Sequence, residues 1–145
     1  MSPQHRKWTF VGGVLNDIHS HGLVIVMQAL RRRGHEVANL GTMVPPEDFA
    51  AAARETAADA LLVANSSGMG ETELLKLADI CQESGFANLP VYAGGMLTLQ
   101  VDDWPEMQKR LSRRGICAFS RNTAIEEILN AIEADLEQRH LGHLK

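Results

Sequence analysis

Five short β-rich apolar runs, Trp8 to Leu15, Glu36 to Leu40, Ala60 to Ala64, Pro90 to Ala93 and Ile116 to Phe119, alternate with five longer segments of helical period. The helices are expected over about Leu23 to Arg33, Pro46 to Thr56, Glu71 to Ser84, Asp102 to Arg114 and Thr123 to Gln138, and Gly34, Gly85 and Gly115 fall where helix stops belong. Few folds accept this pattern. A strand, a helix and another strand in strict succession imply parallel strands joined by right-handed crossovers, with helices on both faces of the sheet. The expected architecture is therefore a doubly wound α/β fold, flavodoxin-like (Rossmann-like), with a five-stranded parallel sheet in the order 2-1-3-4-5. In that order a ligand crevice lies outside the carboxyl ends of strands 1, 3 and 4.

Length and composition are in keeping with one such unit. The chain has 145 residues, is 45% hydrophobic and 22% charged, and so lies well away from the composition of disordered chains. One domain over residues 1–145 is expected, with a core of about 8–139 and short tails. His5, His140 and His143 are assigned to those tails. A net charge of -4 and a pI near 5.8 argue against nucleic acid as a partner, because phosphate binding needs a basic face. Arg31, Arg32 and Arg33 form the one basic cluster, at a predicted helix C-terminus where the helix dipole favours cations. The longest apolar runs, such as Ala57 to Ala64, fall short of the roughly 20 residues needed to span a membrane, and the opening residues lead into no signal-peptide core. The expected location is cytoplasmic, with no membrane association. Cys81 and Cys117 lack a C-x-x-C spacing and read as buried or half-buried free thiols.

The segments after the strands carry the chemistry. Asn16-Asp17-Ile18-His19-Ser20-His21-Gly22 follows strand 1, Asn65-Ser66-Ser67-Gly68-Met69-Gly70 follows strand 3, and Gly94-Gly95-Met96 follows strand 4. Glycines and small polar residues at one sheet edge let backbone approach a large ligand closely. Asp17 and His19 are one residue apart, so the carboxylate can hold one ring nitrogen while the other faces a metal. His21 reads as a solvent-facing loop residue, His35 lies away from the crevice, and Trp104 reads as a packing residue near a partner surface.

The pattern D-x-H-x-x-G, then a serine-containing loop, then Gly-Gly, resembles the cobalamin-binding domains of the adenosylcobalamin mutases and methionine synthase; Asp17, His19, Gly22, Ser66, Gly94 and Gly95 match it. Pro46-Glu47-Asp48-Phe49, Ala58-Asp59, Gly68-Met69-Gly70-Glu71 and Trp104-Pro105 extend the resemblance over nearly the whole chain to the small subunits of glutamate mutase (methylaspartate mutase). The resemblance implies that cobalamin binds with its dimethylbenzimidazole detached and buried, and that His19 replaces it as the axial ligand of cobalt, braced by Asp17. It also implies that Gly22, Gly94, Gly95 and Thr123 line the slot for the nucleotide tail. In the family a serine after strand 3 contacts the benzimidazole, and here either Asn65 or Ser66 takes that place. The implied cofactor is adenosylcobalamin. The implied partner is a larger barrel-type catalytic subunit, assembled as a heterotetramer, and the implied reaction is the radical isomerisation of L-glutamate to threo-3-methylaspartate.

Other readings share parts of this pattern. A corrinoid carrier for a methyltransferase or another mutase, or a non-enzymatic cobalamin sensor or carrier, would use the same binding residues. A methyltransferase corrinoid protein is expected to carry a helical cap before strand 1, which is not expected here. A signalling receiver needs a phosphoacceptor aspartate after strand 3, where this chain has Asn65-Ser66-Ser67. A flavodoxin needs a hydroxyl-rich phosphate loop after strand 1, where this chain has Asn16 to Gly22.

Overall fold

Strand β3, Ala60–Ala64, is apolar throughout and buried throughout, as a strand covered on both faces must be. The computed structural model describes residues 6–98 and 103–143, and it places β3 at the centre of a parallel sheet of order β2-β1-β3-β4-β5. The other strands are β1 (Thr9–Val14), β2 (Glu36–Asn39), β4 (Val91–Gly94) and β5 (Ile116–Ala118). The register pairs Val11 with Leu61, Leu62 with Tyr92, and Ala64 with Gly94, so the carboxyl ends of β1, β3 and β4 finish level with one another. The expected strand order holds.

The pleat divides the core in two. Val11, Leu15, Leu61, Val63 and Val91 point to one face, where helices α2 (Pro46–Thr56), α3 (Gly70–Glu83) and α4 (Trp104–Ser112) supply Phe49, Leu74, Leu77 and Met107. Phe10, Val14, Leu62, Ala64 and Tyr92 point to the other, where α1 (His21–Arg32) and α5 (Ile125–His143) supply Met27, Leu30, Leu129 and Leu136. Helix α2 shows how the local sequence starts and stops an element. Pro46 takes its first turn, Glu47 and Asp48 complement the positive end of the dipole, and Ala57 ends it in the left-handed region at φ 52°.

Two boundaries differ from the expected ones with consequences for the site. Helix α1 starts at His21 rather than Leu23, so His21 and Gly22 belong to its first turn. Helix α5 runs to His143 rather than Gln138, so His140 and His143 lie on a helix and not in a tail, while His5 lies outside the described residues. The extension has partners: the His140 ring meets Trp8 edge-on at 6.1 Å, and Arg6 donates to Glu137 at 3.2 Å. The expected start of the fourth helix, Asp102, also lies outside the described residues. Trp104 opens α4 and packs, half-buried, on the three-helix face. Cys81 is buried, which pushes its thiol up to about 11, whereas Cys117, on edge strand β5, is exposed rather than half-buried. No described helix is long and apolar enough to cross a membrane.

Candidate functional site

The loop after β1 is held from several sides. Leu15 donates its N–H to Ala64 O and bridges to Val44, and Asn16 donates its N–H to Val44 O. Asn16 adopts a left-handed φ of 47°, and its amide donates to Glu73 Oε2 at 2.8 Å. Met43 then donates its N–H to the carbonyl of Asp17 at 2.8 Å. These anchors set Asp17 and His19 in opposite environments: the Asp17 side chain is 7% exposed and that of His19 is 64% exposed.

Asp17 is bonded through both oxygens. Oδ1 lies 2.8 Å from His19 Nδ1, and Oδ2 accepts the N–H of Ser66 at 2.8 Å. Burial alone would raise the Asp17 carboxyl, but the N–H of Ser66, the His19 ring and the N–H of Ile18 together outweigh it and hold the carboxyl below its ordinary value. An ionised carboxylate only accepts, so this network assigns the imidazole hydrogen to Nδ1 and leaves the lone pair on Nε2. A buried carboxylate holding an exposed imidazole in one tautomer is the arrangement of a histidine metal ligand with its supporting group. Around it Ile18, Met43 and Met69 expose large apolar side chains on the loops after β1, β2 and β3.

Beside His19 a slot of about 650 Å³ opens between α1, α5 and the sheet. That volume suits a drug-sized or cofactor-sized group. Leu23 and Val26 of α1, Leu62 and Tyr92 of the sheet, and Ile128 and Ile132 of α5 give it apolar walls. Tyr92 presents its ring, because its hydroxyl donates to Asp135 Oδ2 at 2.5 Å; burial first, and then the Asp135 carboxylate, push the phenol upward and keep it neutral. The glycines divide by role. A Cβ on Gly22 or Gly94 would meet no protein atom within 4 Å, so both leave open space, and both line the slot. Gly95 has φ +110°, and a Cβ there would lie 2.5 Å from Asn65 O, so it allows two strand-end loops to touch.

The adjacent residues Asn65 and Ser66 part company. Asn65 is fully buried; its amide donates to Leu15 O at 2.8 Å, and its Oδ1 accepts from Ser67 N at 3.1 Å and Ser67 Oγ at 2.8 Å. It does not line the slot. Ser66 does, and its Oγ accepts the N–H of Met96 at 3.0 Å, which leaves its own hydrogen to donate. Thr123 lines the slot as well, with Oγ1 3.1 Å from Ser120 Oγ. His21 lies on the rim, exposed, as the first residue of α1 rather than a loop residue. His35 is buried far from the rim, where its Nδ1 accepts the N–H of Trp8 at 3.0 Å and its Nε2 donates to Glu133 at 2.7 Å. Tyr92, Ile125, Ile128 and Ile132 were not singled out by the sequence motifs. The i, i+3, i+7 spacing of the three isoleucines marks one face of α5 and is the signal that could have found them.

Comparison with known proteins defines the class. The family model of the B12 binding domain matches residues 8–108, and the chain belongs to that family. It is 34% identical over 132 residues to the glutamate mutase sigma subunit of Treponema denticola, covering 90% of this chain and 95% of that one. It is 37% identical over 110 residues to the glutamate mutase sigma subunit of Clostridium tetani, covering 75% of this chain and 80% of that one. Among solved structures, the methanol:cobalamin methyltransferase complex of Methanosarcina barkeri shares the fold, with a TM-score of 0.69 at 24% identity over 92% of this chain and half (50%) of the longer one.

The residues present suit a corrinoid. An exposed imidazole braced by a buried carboxylate, two glycines whose missing side chains leave open space, and an apolar slot beside them are groups that could serve such a ligand as a metal donor, as clearance and as a place for a flat heteroaromatic group.

Proposed function

We propose that this chain is the cobalamin-carrying small subunit of an adenosylcobalamin-dependent carbon-skeleton mutase of the glutamate mutase type. The observation that carries the reading is the Asp17–His19 pair at the mouth of the slot, with Asp17 fixed in turn by the N–H of Ser66. In it His19 Nε2 ligates cobalt, Asp17 keeps the ring oriented and basic, and the slot between α1 and α5 takes the dimethylbenzimidazole tail. Ser66 rather than Asn65 donates to that base, because Asn65 is already bonded at both ends of its amide. Gly22, Gly94 and Thr123 border the tail, and Gly95 shapes the border from behind.

When bound, adenosylcobalamin supplies a cobalt–carbon bond whose homolysis begins a radical rearrangement. This chain's own part is ligation, orientation and exclusion of water. The sequences of the three loops after β1, β3 and β4 contain no arginine or lysine to pair with a dicarboxylate substrate. In this reading L-glutamate is bound by a larger barrel-type catalytic subunit, joined to this chain in a heterotetramer in the cytoplasm. A methyltransferase carrier has only the shared fold in its favour.

The test is reconstitution. Mixed with adenosylcobalamin and the large subunit of a glutamate mutase, the chain is expected to yield threo-3-methylaspartate from L-glutamate, with no product when either protein is omitted. Cobalamin binding without turnover on any large subunit tried would leave a carrier and remove the mutase assignment.

A further inference from the structure

Although the chain carries a net charge of -4, no aspartate or glutamate among the described residues lines the slot. The ionisable groups on its walls other than Tyr92 are His19, His21 and Arg121. Arg121 sits, exposed, in the connection between β5 and α5, beside Ser120 and Thr123, which also line the slot and whose hydroxyls lie 3.1 Å apart. Its guanidinium makes no hydrogen bond or ion pair with the described residues. Five other arginines, Arg33, Arg110 and Arg139 among them, are tied to carboxylates. Of the two acids on the first turn of α5, Glu126 and Glu127, Glu126 is engaged elsewhere, since its Oε2 accepts from Arg33 Nη2 at 2.6 Å, and neither lines the slot. An arginine left unpaired on the wall of an acid-free slot, next to a helix start with a hydroxyl on either side, is arranged to receive an anion.

We propose that Arg121 is a specificity-determining residue that pairs with the phosphodiester of the cobalamin nucleotide tail, the one anionic group on that tail. The inference rests on the reading of the slot as the tail site. It gives the chain a means of telling a complete cobalamin from a corrinoid without the nucleotide, independent of the cobalt ligand. A guanidinium presents two parallel N–H groups to phosphate oxygens, and the hydroxyls of Ser120 and Thr123 lie within the same connection to complete the contact.

The experiment measures equilibrium binding of aquocobalamin and of aquocobinamide, which lacks the nucleotide and its phosphate, to wild type, Arg121→Gln and Arg121→Lys, at low and high salt. Arg121→Gln is expected to weaken cobalamin binding about three- to tenfold, as befits a charge-assisted bond at an exposed site. It should leave cobinamide binding unchanged. Arg121→Lys should keep most of the affinity, and the gap between wild type and Arg121→Gln should narrow at high salt. Wild type preferring cobalamin with Arg121→Gln preferring it equally would overturn the role of Arg121 and leave the slot standing. Equal losses toward both corrinoids would also overturn it, because the effect would not involve the phosphate. Wild type binding both corrinoids alike would overturn the slot as the tail site, and the role of Arg121 with it.

Discussion

On one face of the sheet three helices bring Phe49, Leu77 and Met107 down onto Val11, Leu61 and Ile116, and the core there is filled to the carboxyl edge by Leu15, Val44 and Leu97. On the other face only two helices cover the same strands. Met27, Leu30, Leu129 and Leu136 fill the space with Phe10, and beyond them the walls part into the 650 Å³ slot. The strands alternate apolar residues to both sides, so the sheet does not explain the difference. The helices do: the side-chain bonds between α1 and α5 all start from the C-terminal end of α1, where Arg33 reaches Glu126 at 2.6 Å, Asn130 at 3.0 Å and Glu133 at 2.5 Å, and among the described residues none starts from the His21 end of α1, beside the slot. One face spends its apolar surface on stability, and the other keeps part of it for a ligand.

Phe49→Ala and Ile128→Ala offer the hardest test of that contrast. Phe49 is fully buried among side chains, and its removal should cost about 3–5 kcal/mol in urea denaturation. Ile128 borders space that is already open, so its removal should cost about 1 kcal/mol or less in the absence of cobalamin. Equal losses would mean that the slot is closed in solution.

The paired glycines sharpen the comparison within a single loop. Gly95→Ala must strain a φ of +110° and push a Cβ against Asn65 O, and should lose about 2–4 kcal/mol. Gly94→Ala meets no protein atom and should change the stability of the ligand-free protein by about 1 kcal/mol at most. Its methyl group projects into the open space, so cobalamin binding should fall instead. An alanine at Gly94 that leaves cobalamin affinity untouched would place the ligand elsewhere.

The ion pairs that Arg33 and His35 make with α5 are expected to respond to pH. Burial would raise the Glu133 carboxyl, but its bonds to His35 and Arg33 outweigh burial and hold it below its ordinary value. A carboxyl lowered on folding adds stability that is complete above its unfolded value of about 4.3 and is lost as pH falls through the lower folded value. Glu133→Gln should therefore cost about 1–3 kcal/mol at neutral pH, with a deficit relative to wild type that shrinks in acid. Denaturation curves at neutral and acidic pH read this directly, with Arg33, His35 and Glu126 left unchanged. A deficit that is constant with pH would contradict the ion-pair account.

Much of this was legible in the sequence because it depends on short-range pattern. The apolar run Ala60–Ala64 and the Pro46 start of α2 declare their elements locally, and Asp17 and His19 meet because they are two positions apart on one loop. The choice between Asn65 and Ser66 was not legible. The alternation of the pleat stops at Ala64, and which of the next residues turns inward is decided by Leu15 O and Met96 N, from other loops. The length of α5 and the slot wall it forms were hidden for a related reason. Its inward isoleucines read like ordinary core, and its last turns are held by Trp8 and Arg6 at the opposite end of the chain.

The most direct test of the central claim compares the ultraviolet-visible spectra of wild type and His19→Ala with hydroxocobalamin and adenosylcobalamin. The account predicts that wild type gives the spectrum of cobalamin with its benzimidazole detached and histidine on cobalt, and that His19→Ala loses the histidine signature and binds more weakly. His19 is exposed, so the variant should keep its fold by circular dichroism. A folded His19→Ala protein that binds cobalamin with an unchanged cobalt spectrum would contradict the account, because some other group would then hold the metal.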